Sequence, residues 1–127
     1  MKVLICDDDP MTLKALEFQL KKDGHSVVKA DNGKDAIHIL NSDRDVNFLI
    51  TDLYMPVSSG LELITHVRDE LKSQMPVLIL TRSNVEETMN YALDLGASGY
   101  LTKPFKLEDM KARIESIIKN AGDVSKI

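Results

Sequence analysis

Apolar positions along the chain fall into two kinds of block. Three short runs are apolar without interruption: Val3-Leu4-Ile5-Cys6, Phe48-Leu49-Ile50 and Val77-Leu78-Ile79-Leu80. A run of strand length with no polar face predicts a strand covered on both sides. Two weaker runs predict further strands: Ser26–Ala30, with Val27 and Val28 between polar neighbours, and Gly99-Tyr100-Leu101-Thr102. The first has the composition of a sheet edge. Between the strands, apolar residues recur at three and four positions, the spacing of one helix face. Leu13, Leu16 and Leu20 form one such face, entered at Pro10 and closed at Gly24. Ala36, Ile37 and Leu40 follow the Asn32-Gly33 turn and predict a short second helix, then polar loop from Asn41 to Asn47. Leu61, Ile64, Val67 and Leu71 predict a third helix after a loop from Pro56 to Gly60. Val85, Met89, Ala92 and Leu93 predict a fourth, capped by Ser83 or Asn84 and closed by Gly96. Leu107, Met110, Ile114, Ile117 and Ile118 predict a fifth, with a frayed tail over Asn120–Ile127.

Five strands alternating with five helices predict an α/β fold: one parallel sheet with right-handed crossovers and helices on both faces. At 127 residues there is room for one domain. The net charge of -4 argues against a dedicated nucleic-acid surface. The single cysteine, Cys6, sits in an apolar run and is expected to be a small buried hydrophobe in a reducing compartment. No apolar stretch approaches membrane-spanning length and no signal peptide is visible, so the expected location is the cytoplasm.

In such a sheet, ligands bind beyond the carboxyl ends of the strands. The residues there are Asp7, Asp8 and Asp9, then Asp52, Thr81 and Lys103. Clustered carboxylates repel one another, so they raise a pKa or recruit a cation. Oxygen ligands of this kind suit Mg²⁺ or Mn²⁺. A metal, an ammonium and a hydroxyl beside a carboxylate suit phosphoryl handling: cations neutralise oxygen charge while the carboxylate attacks. Each residue alone has a plainer reading. Asp7-Asp8-Asp9 would cap a helix, Lys103 would be solvated, Thr81 would cap a strand end and Tyr100 would sit on an edge strand. His25, His38 and His66 lack metal-ligand spacing, and Arg68-Asp69-Glu70 has the charge of a solvated helix face.

Four stretches together resemble the response-regulator receiver domain, the family of the chemotaxis response regulators. They are Ile5-Cys6-Asp7-Asp8-Asp9-Pro10, Leu49-Ile50-Thr51-Asp52-Leu53-Tyr54-Met55-Pro56, Leu78-Ile79-Leu80-Thr81, and Gly96 through Phe105 with Lys103-Pro104 inside it. The resemblance covers residues 1–120, leaving 121–127 as a C-terminal tail. It implies a flavodoxin-like doubly wound sheet of order 2-1-3-4-5. It implies that Asp52 is the phospho-acceptor, with Thr81 and Lys103 completing the catalytic set. Asp8 and Asp52 would be direct metal ligands, Asp7 would act through water, and Tyr54 would lend its backbone carbonyl. Thr81 and Tyr100 would be the switch pair, and Lys103-Pro104 would be cis. Asp9 matches a variable position and is given no ligand role. Arg82 is bulkier than the small residue usual after the switch threonine, and Tyr54 bulkier than the polar residues often found there. With Ser83 they are assigned to tuning access and phosphate lifetime.

The function so implied is a Mg²⁺-dependent, phosphorylation-controlled switch in a two-component phosphorelay. It is a phospho-acceptor with self-catalysed transfer and hydrolysis rather than an enzyme. Its donor would be a sensor histidine kinase or histidine phosphotransfer domain. Its output would be a protein partner, or a second copy, bound through the fourth helix, last strand and last helix, with no DNA-binding or enzymatic effector. Two other functions compete. A degenerate receiver would bind a partner without phosphorylation, a reading favoured only by Arg82 and Tyr54. A haloacid-dehalogenase-like phosphatase would use Asp7-Asp8-Asp9 as its Asp-x-Asp, but it needs a later acidic pair where Thr81 and Lys103 stand.

Overall fold

The computed structural model describes residues 1–55, 57–82 and 86–125. Pro56, the expected cap at Ser83 or Asn84, and the expected face residue Val85 therefore lie outside the described residues. The strands are β1 (Lys2–Cys6), β2 (Ser26–Ala30), β3 (Phe48–Asp52), β4 (Val77–Thr81) and β5 (Gly99–Thr102). The helices between and after them are α1 (Pro10–Lys22), α2 (Gly33–Ser42), α3 (Gly60–Thr65), α4 (Glu86–Leu95) and α5 (Leu107–Ser125). A π-helical stretch, His66–Glu70, extends α3. All pairings are parallel and the order is β2-β1-β3-β4-β5, so the sequence-based topology holds.

Successive strand residues face opposite sides of the sheet, and each side has its own core. Leu4, Leu49 and Ile79 pack with Leu40, Leu63, Ile64 and Ala92 from the α2, α3 and α4 side. Val3, Ile5, Phe48, Ile50, Leu78 and Leu80 pack with Leu16 and Leu20 of α1 and Met110, Ile114 and Ile117 of α5. Each such side chain contributes about 1.5–3 kcal/mol by leaving water. All five residues of β3 and of β4 are buried, as unbroken apolar runs require, while β2 and β5 at the edges are only partly covered.

Local chemistry sets the helix starts. Asp9 caps α1, its carboxylate accepting from the Met11 N–H at 3.1 Å, with Pro10 in the first turn. Asn32 caps α2 through the Asp35 N–H at 2.9 Å. Two helices also begin on glycines that admit no side chain. A Cβ on Gly33 would lie 2.1 Å from the Ser58 carbonyl oxygen, and one on Gly60 would lie 2.5 Å from that of Asp52. The loop between β3 and α3 is thus pressed against the first residues of both α2 and α3.

Several expectations are corrected. The third helix does not keep a 3.6-residue period: its buried residues are Leu63, Ile64 and Val67, while Leu61 and Leu71 are only partly covered. After Thr65 the backbone widens, and the Leu71 N–H reaches the His66 carbonyl at 2.9 Å. Arg68 does not face solvent with Asp69 and Glu70; it turns inward to main-chain carbonyls. Leu93 and Ile118 stand 38% exposed, because each lies beside rather than on the stripe that meets the sheet. The helices also outlast their apolar faces. α2 continues to Ser42, and α5 runs to Ser125 instead of fraying from Asn120.

Candidate functional site

β1 leaves the core at Cys6, and the next residue stays inside. The Asp7 N–H bonds the Ala30 carbonyl at 3.2 Å and its side chain is fully buried. One Asp7 oxygen accepts from the Asp9 N–H at 2.9 Å, and the other accepts from Lys103 Nζ at 2.6 Å. Asp52, at the end of β3, is also buried. Its Oδ2 accepts from the same Lys103 Nζ at 3.0 Å, and its Oδ1 from the Tyr54 N–H at 3.3 Å. Lys103 reaches both because its own N–H bonds the Thr81 carbonyl at 2.7 Å, fixing the backbone just past β5. The Lys103-Pro104 peptide is cis, as expected.

Asp8 is exposed at the mouth, and one oxygen from each of Asp7, Asp8 and Asp52 lies within 4.8 Å of the others. Asp9 is not in that group; its carboxylate is taken by the Met11 N–H and by the Thr12 hydroxyl, which donates at 2.9 Å. A cavity of about 360 Å³ opens over Asp8, Asp52, Tyr54 and Arg82. Arg82 and Tyr54 are both exposed at its rim. Thr81 is fully buried at the end of β4, and Tyr100 on β5 is 37% exposed. Ser83 lies outside the described residues.

Burial and polar contacts compete in the electrostatics. Burial pushes the Asp7 carboxyl above the ordinary value, against the pull of Lys103 and the Asp9 N–H. Burial would depress the Lys103 ammonium, but its contacts with Asp7 and Asp52 outweigh it and leave the pKa raised. Asp9, on the surface, is held low by Thr12 and the Met11 N–H, then by Lys103 and Arg82 at longer range. Burial drives the Cys6 thiol up to about 12, so this cysteine is inert packing beside the site.

Three carboxylates face one ammonium, so the cluster keeps an excess of negative charge that one divalent cation would neutralise. The donors are hard oxygens with no histidine, which fits Mg²⁺ or Mn²⁺. The sequence-based set therefore converges for Asp7, Asp8, Asp52 and Lys103. One neighbouring feature was missed. A mainly apolar groove of about 530 Å³ lies beside Lys103 and Arg82, lined by Met11, Thr12, Ala15 and Leu16 of α1 and by Phe105. Its signal was Met11 and Ala15 at i, i+4, off the stripe of Leu13, Leu16 and Leu20 that marks the core face.

Comparison with known proteins points the same way. A family model described as the response regulator receiver domain matches residues 3–115. The receiver domain of a Francisella response regulator is similar at 28% identity, with 94% of this chain and 98% of that one covered and a TM-score of 0.85. A chemotaxis response regulator of Vibrio cholerae matches at 29% identity, covering 91% and 97%, with a TM-score of 0.85. A response regulator receiver domain protein from Clostridium thermocellum matches at 27% identity, covering 97% and 98%, with a TM-score of 0.86. The chain belongs to the response regulator receiver domain family, whose members act in phosphorylation-controlled two-component signalling.

Proposed function

We propose that Asp52 accepts a phosphoryl group from a phosphohistidine and that the resulting acyl phosphate switches the protein's partner-binding surface. The observation that carries this reading is the Lys103 ammonium bridging Asp7 and Asp52 at 2.6 and 3.0 Å in one pocket. An Asp52 oxygen attacks phosphorus, the new O–P bond forms, the P–N bond breaks and the donor imidazole leaves. Lys103 then exchanges its contact with the carboxylate for one with a phosphoryl oxygen, an interaction strengthened by the buried surroundings. Water ends the signal by attacking the acyl phosphate, which breaks its O–P bond, restores the Asp52 carboxylate and releases inorganic phosphate, so the protein is a self-catalysed acceptor rather than a turnover enzyme.

Receiver domains typically bind Mg²⁺ at an acidic pocket. Here Asp8, Asp52 and the Tyr54 carbonyl would hold Mg²⁺ or Mn²⁺ directly, with Asp7 acting through water. The ion would supply positive charge against the phosphoryl oxygens. Arg82 at the rim shields the acyl phosphate and slows small donors.

Receiver domains interact with histidine kinases or phosphotransfer proteins. For this chain the donor approaches over Asp52, and the groove along α1, with Met11 80% exposed, offers it an apolar landing. No described helix is long and apolar enough to cross a membrane, and we place the protein in the cytoplasm beside its kinase. For output, Thr81 is drawn toward the phosphoryl oxygens and Tyr100 turns inward behind it. That remodels the face of α4, β5 and α5 for a partner or second copy. No observation favours the phosphorylation-independent reading over this one.

Intact-mass measurement tests the acceptor. Wild type incubated with a phosphorylated kinase should gain one phosphoryl adduct, lost in excess chelator and absent in Asp52→Asn. An undiminished adduct in Asp52→Asn overturns the assignment.

A further inference from the structure

On the sheet face away from α1 and α5 lies a further concavity, a cleft of about 380 Å³ between α2, α3 with its π-helical extension, and α4. Ile37, Leu61 and Leu95 give it an apolar floor, and Tyr91 stands 56% exposed at its rim. Glu62 and Glu70 border it, both exposed, and no lysine or arginine lines it. His66, also on the wall, is engaged by Asn41 at 2.7 Å.

The charge of the surroundings is one-sided. α3, its extension and α4 carry six carboxylates: Glu62, Asp69, Glu70, Glu86, Glu87 and Asp94. Their single cation, Arg68, is turned inward onto the Ser73, Met75 and Gly96 carbonyls. The local excess of negative charge exceeds the -4 of the whole chain. An exposed aromatic over an apolar floor is the composition of an interface anchor point, and a rim of one sign selects partners of the other.

The walls of this cleft also touch the loop that follows Asp52. Gly60, the first residue of α3, abuts the Asp52 carbonyl, and Gly33, the first of α2, abuts Ser58. Helices move as rigid units, so a shift of that loop displaces both walls together.

We propose that this cleft docks a basic segment of a partner protein, apolar at its centre and flanked by lysines or arginines, and that the state of Asp52 sets its affinity. From Leu61 to Glu70 the wall is about 14 Å long, matching two to three turns of a bound helix. The coupling to Asp52 rests on the function proposed above; the docking does not.

The test uses the whole chain and a fluorescein-labelled helical peptide of about 14 residues, with leucines on one face and arginines flanking them. Polarisation should show saturable binding that weakens from about 50 to about 150 mM salt. Glu62→Gln with Glu70→Gln should weaken it about fivefold, and Tyr91→Ala about tenfold. Glu108→Gln with Asp109→Asn, exposed on α5 across the sheet, should leave it unchanged. All these positions are exposed, and thermal melts report whether each variant folds. Absence of saturable binding, or equal losses in the α3 and α5 pairs, overturns the docking. Acetyl phosphate with Mg²⁺ is then added and the adduct counted by mass. A change in affinity of about threefold or more supports the coupling. An unchanged affinity at full phosphorylation overturns the coupling alone. If no adduct forms with acetyl phosphate and none with a phosphorylated kinase either, the Asp52 reading fails and the coupling with it, while the docking is judged on the peptide data.

Discussion

Two cations turn inward at opposite ends of the sheet, and their partners differ. At the carboxyl end, Lys103 meets two carboxylates, Asp7 and Asp52. At the amino end, the Arg68 guanidinium meets only main-chain carbonyls among the described residues: Ser73 at 2.9 Å, Met75 at 2.6 Å, and Gly96 at 3.0 and 2.8 Å. Burial alone lowers the Arg68 pKa, whereas carboxylate contacts overcome burial at Lys103 and raise it. Carbonyls neither titrate nor bind divalent ions strongly enough to compete with this fork, so the Arg68 clasp is indifferent to solution conditions. Carboxylates gain protons, metal and a phosphoryl group, so every such event rewrites what Lys103 contacts. The same type of bond serves as a staple at one end and as a sensor at the other.

Removing each cation should expose that difference. Lys103→Met leaves Asp7 buried without its cation, and should cost about 3 kcal/mol of stability at neutral pH in chelator. The loss should be smaller when measured at about pH 4, because burial holds the Asp7 carboxyl above its ordinary value and favours its protonation in acid, and it should be partly recovered by Mg²⁺. Urea unfolding at both pH values checks this; an equal loss at each would mean that charge is not what Lys103 offsets. Arg68→Ala should cost about 2 kcal/mol, since three carbonyls lose a charged donor. That loss should be the same from about pH 4 to about pH 9 and unaffected by Mg²⁺. Arg68→Lys should restore under half of it, because an ammonium cannot span the carbonyls as a planar fork does.

A smaller effect of opposite sign is expected at Asp7. Its folded pKa is raised above 3.8, chiefly by burial. The stability it contributes is therefore fully present below the unfolded value and is lost as pH rises through the folded one. Asp7→Asn removes that loss but keeps one acceptor oxygen, which can face Lys103 or the Asp9 N–H and not both, so it should stabilise the protein only slightly at neutral pH and weaken its Mg²⁺ response. Destabilisation of Asp7→Asn at neutral pH would show that the ion pair outweighs burial after all.

The two ends also differed in how far they could be read from sequence. The carboxyl end was legible because strands buried on both faces are unbroken apolar runs, so a charge that closes one stands out. Asp7 and Asp52 were found by that contrast and Lys103 by its place just past the last strand, and the structure brings them within hydrogen-bonding reach. The amino end was not legible. Arg68 sits among Asp69 and Glu70 and has a solvated composition; its inward turn depends on the widened helix after Thr65, which no residue period signals. Leu63 escaped for a different reason, since an i, i+3 reading from Leu61 passes over it. Where Tyr100 and Arg82 point was equally beyond the sequence, because exposure at an edge strand or loop follows from tertiary packing.

Backbone strain offers a last, smaller contrast. Past the acceptor, Val57 holds φ at 63° and Ser58 at 116°, while ahead of β4 Lys72 holds φ at 53°. A left-handed conformation costs an L-residue roughly 1–2 kcal/mol, and a β-branched residue is a true outlier there. Glycine removes that cost but returns about 0.5–1 kcal/mol through the freedom it gains when unfolded. Val57 is 64% exposed, so little burial is lost on substitution. Val57→Gly should therefore stabilise by about 0.5–1 kcal/mol, and Lys72→Gly by about half as much or nothing, in paired urea titrations. Strain persists where the surroundings over-determine it, and here Ser58 is held against Gly33 and the loop runs directly from Asp52. If that strain helps set the pocket, Val57→Gly should gain stability yet take up phosphate more slowly, and Lys72→Gly should label at the wild-type rate. Equal stability gains at both positions, with labelling unchanged, would make the strain beside Asp52 no different in kind from the strain at the other end.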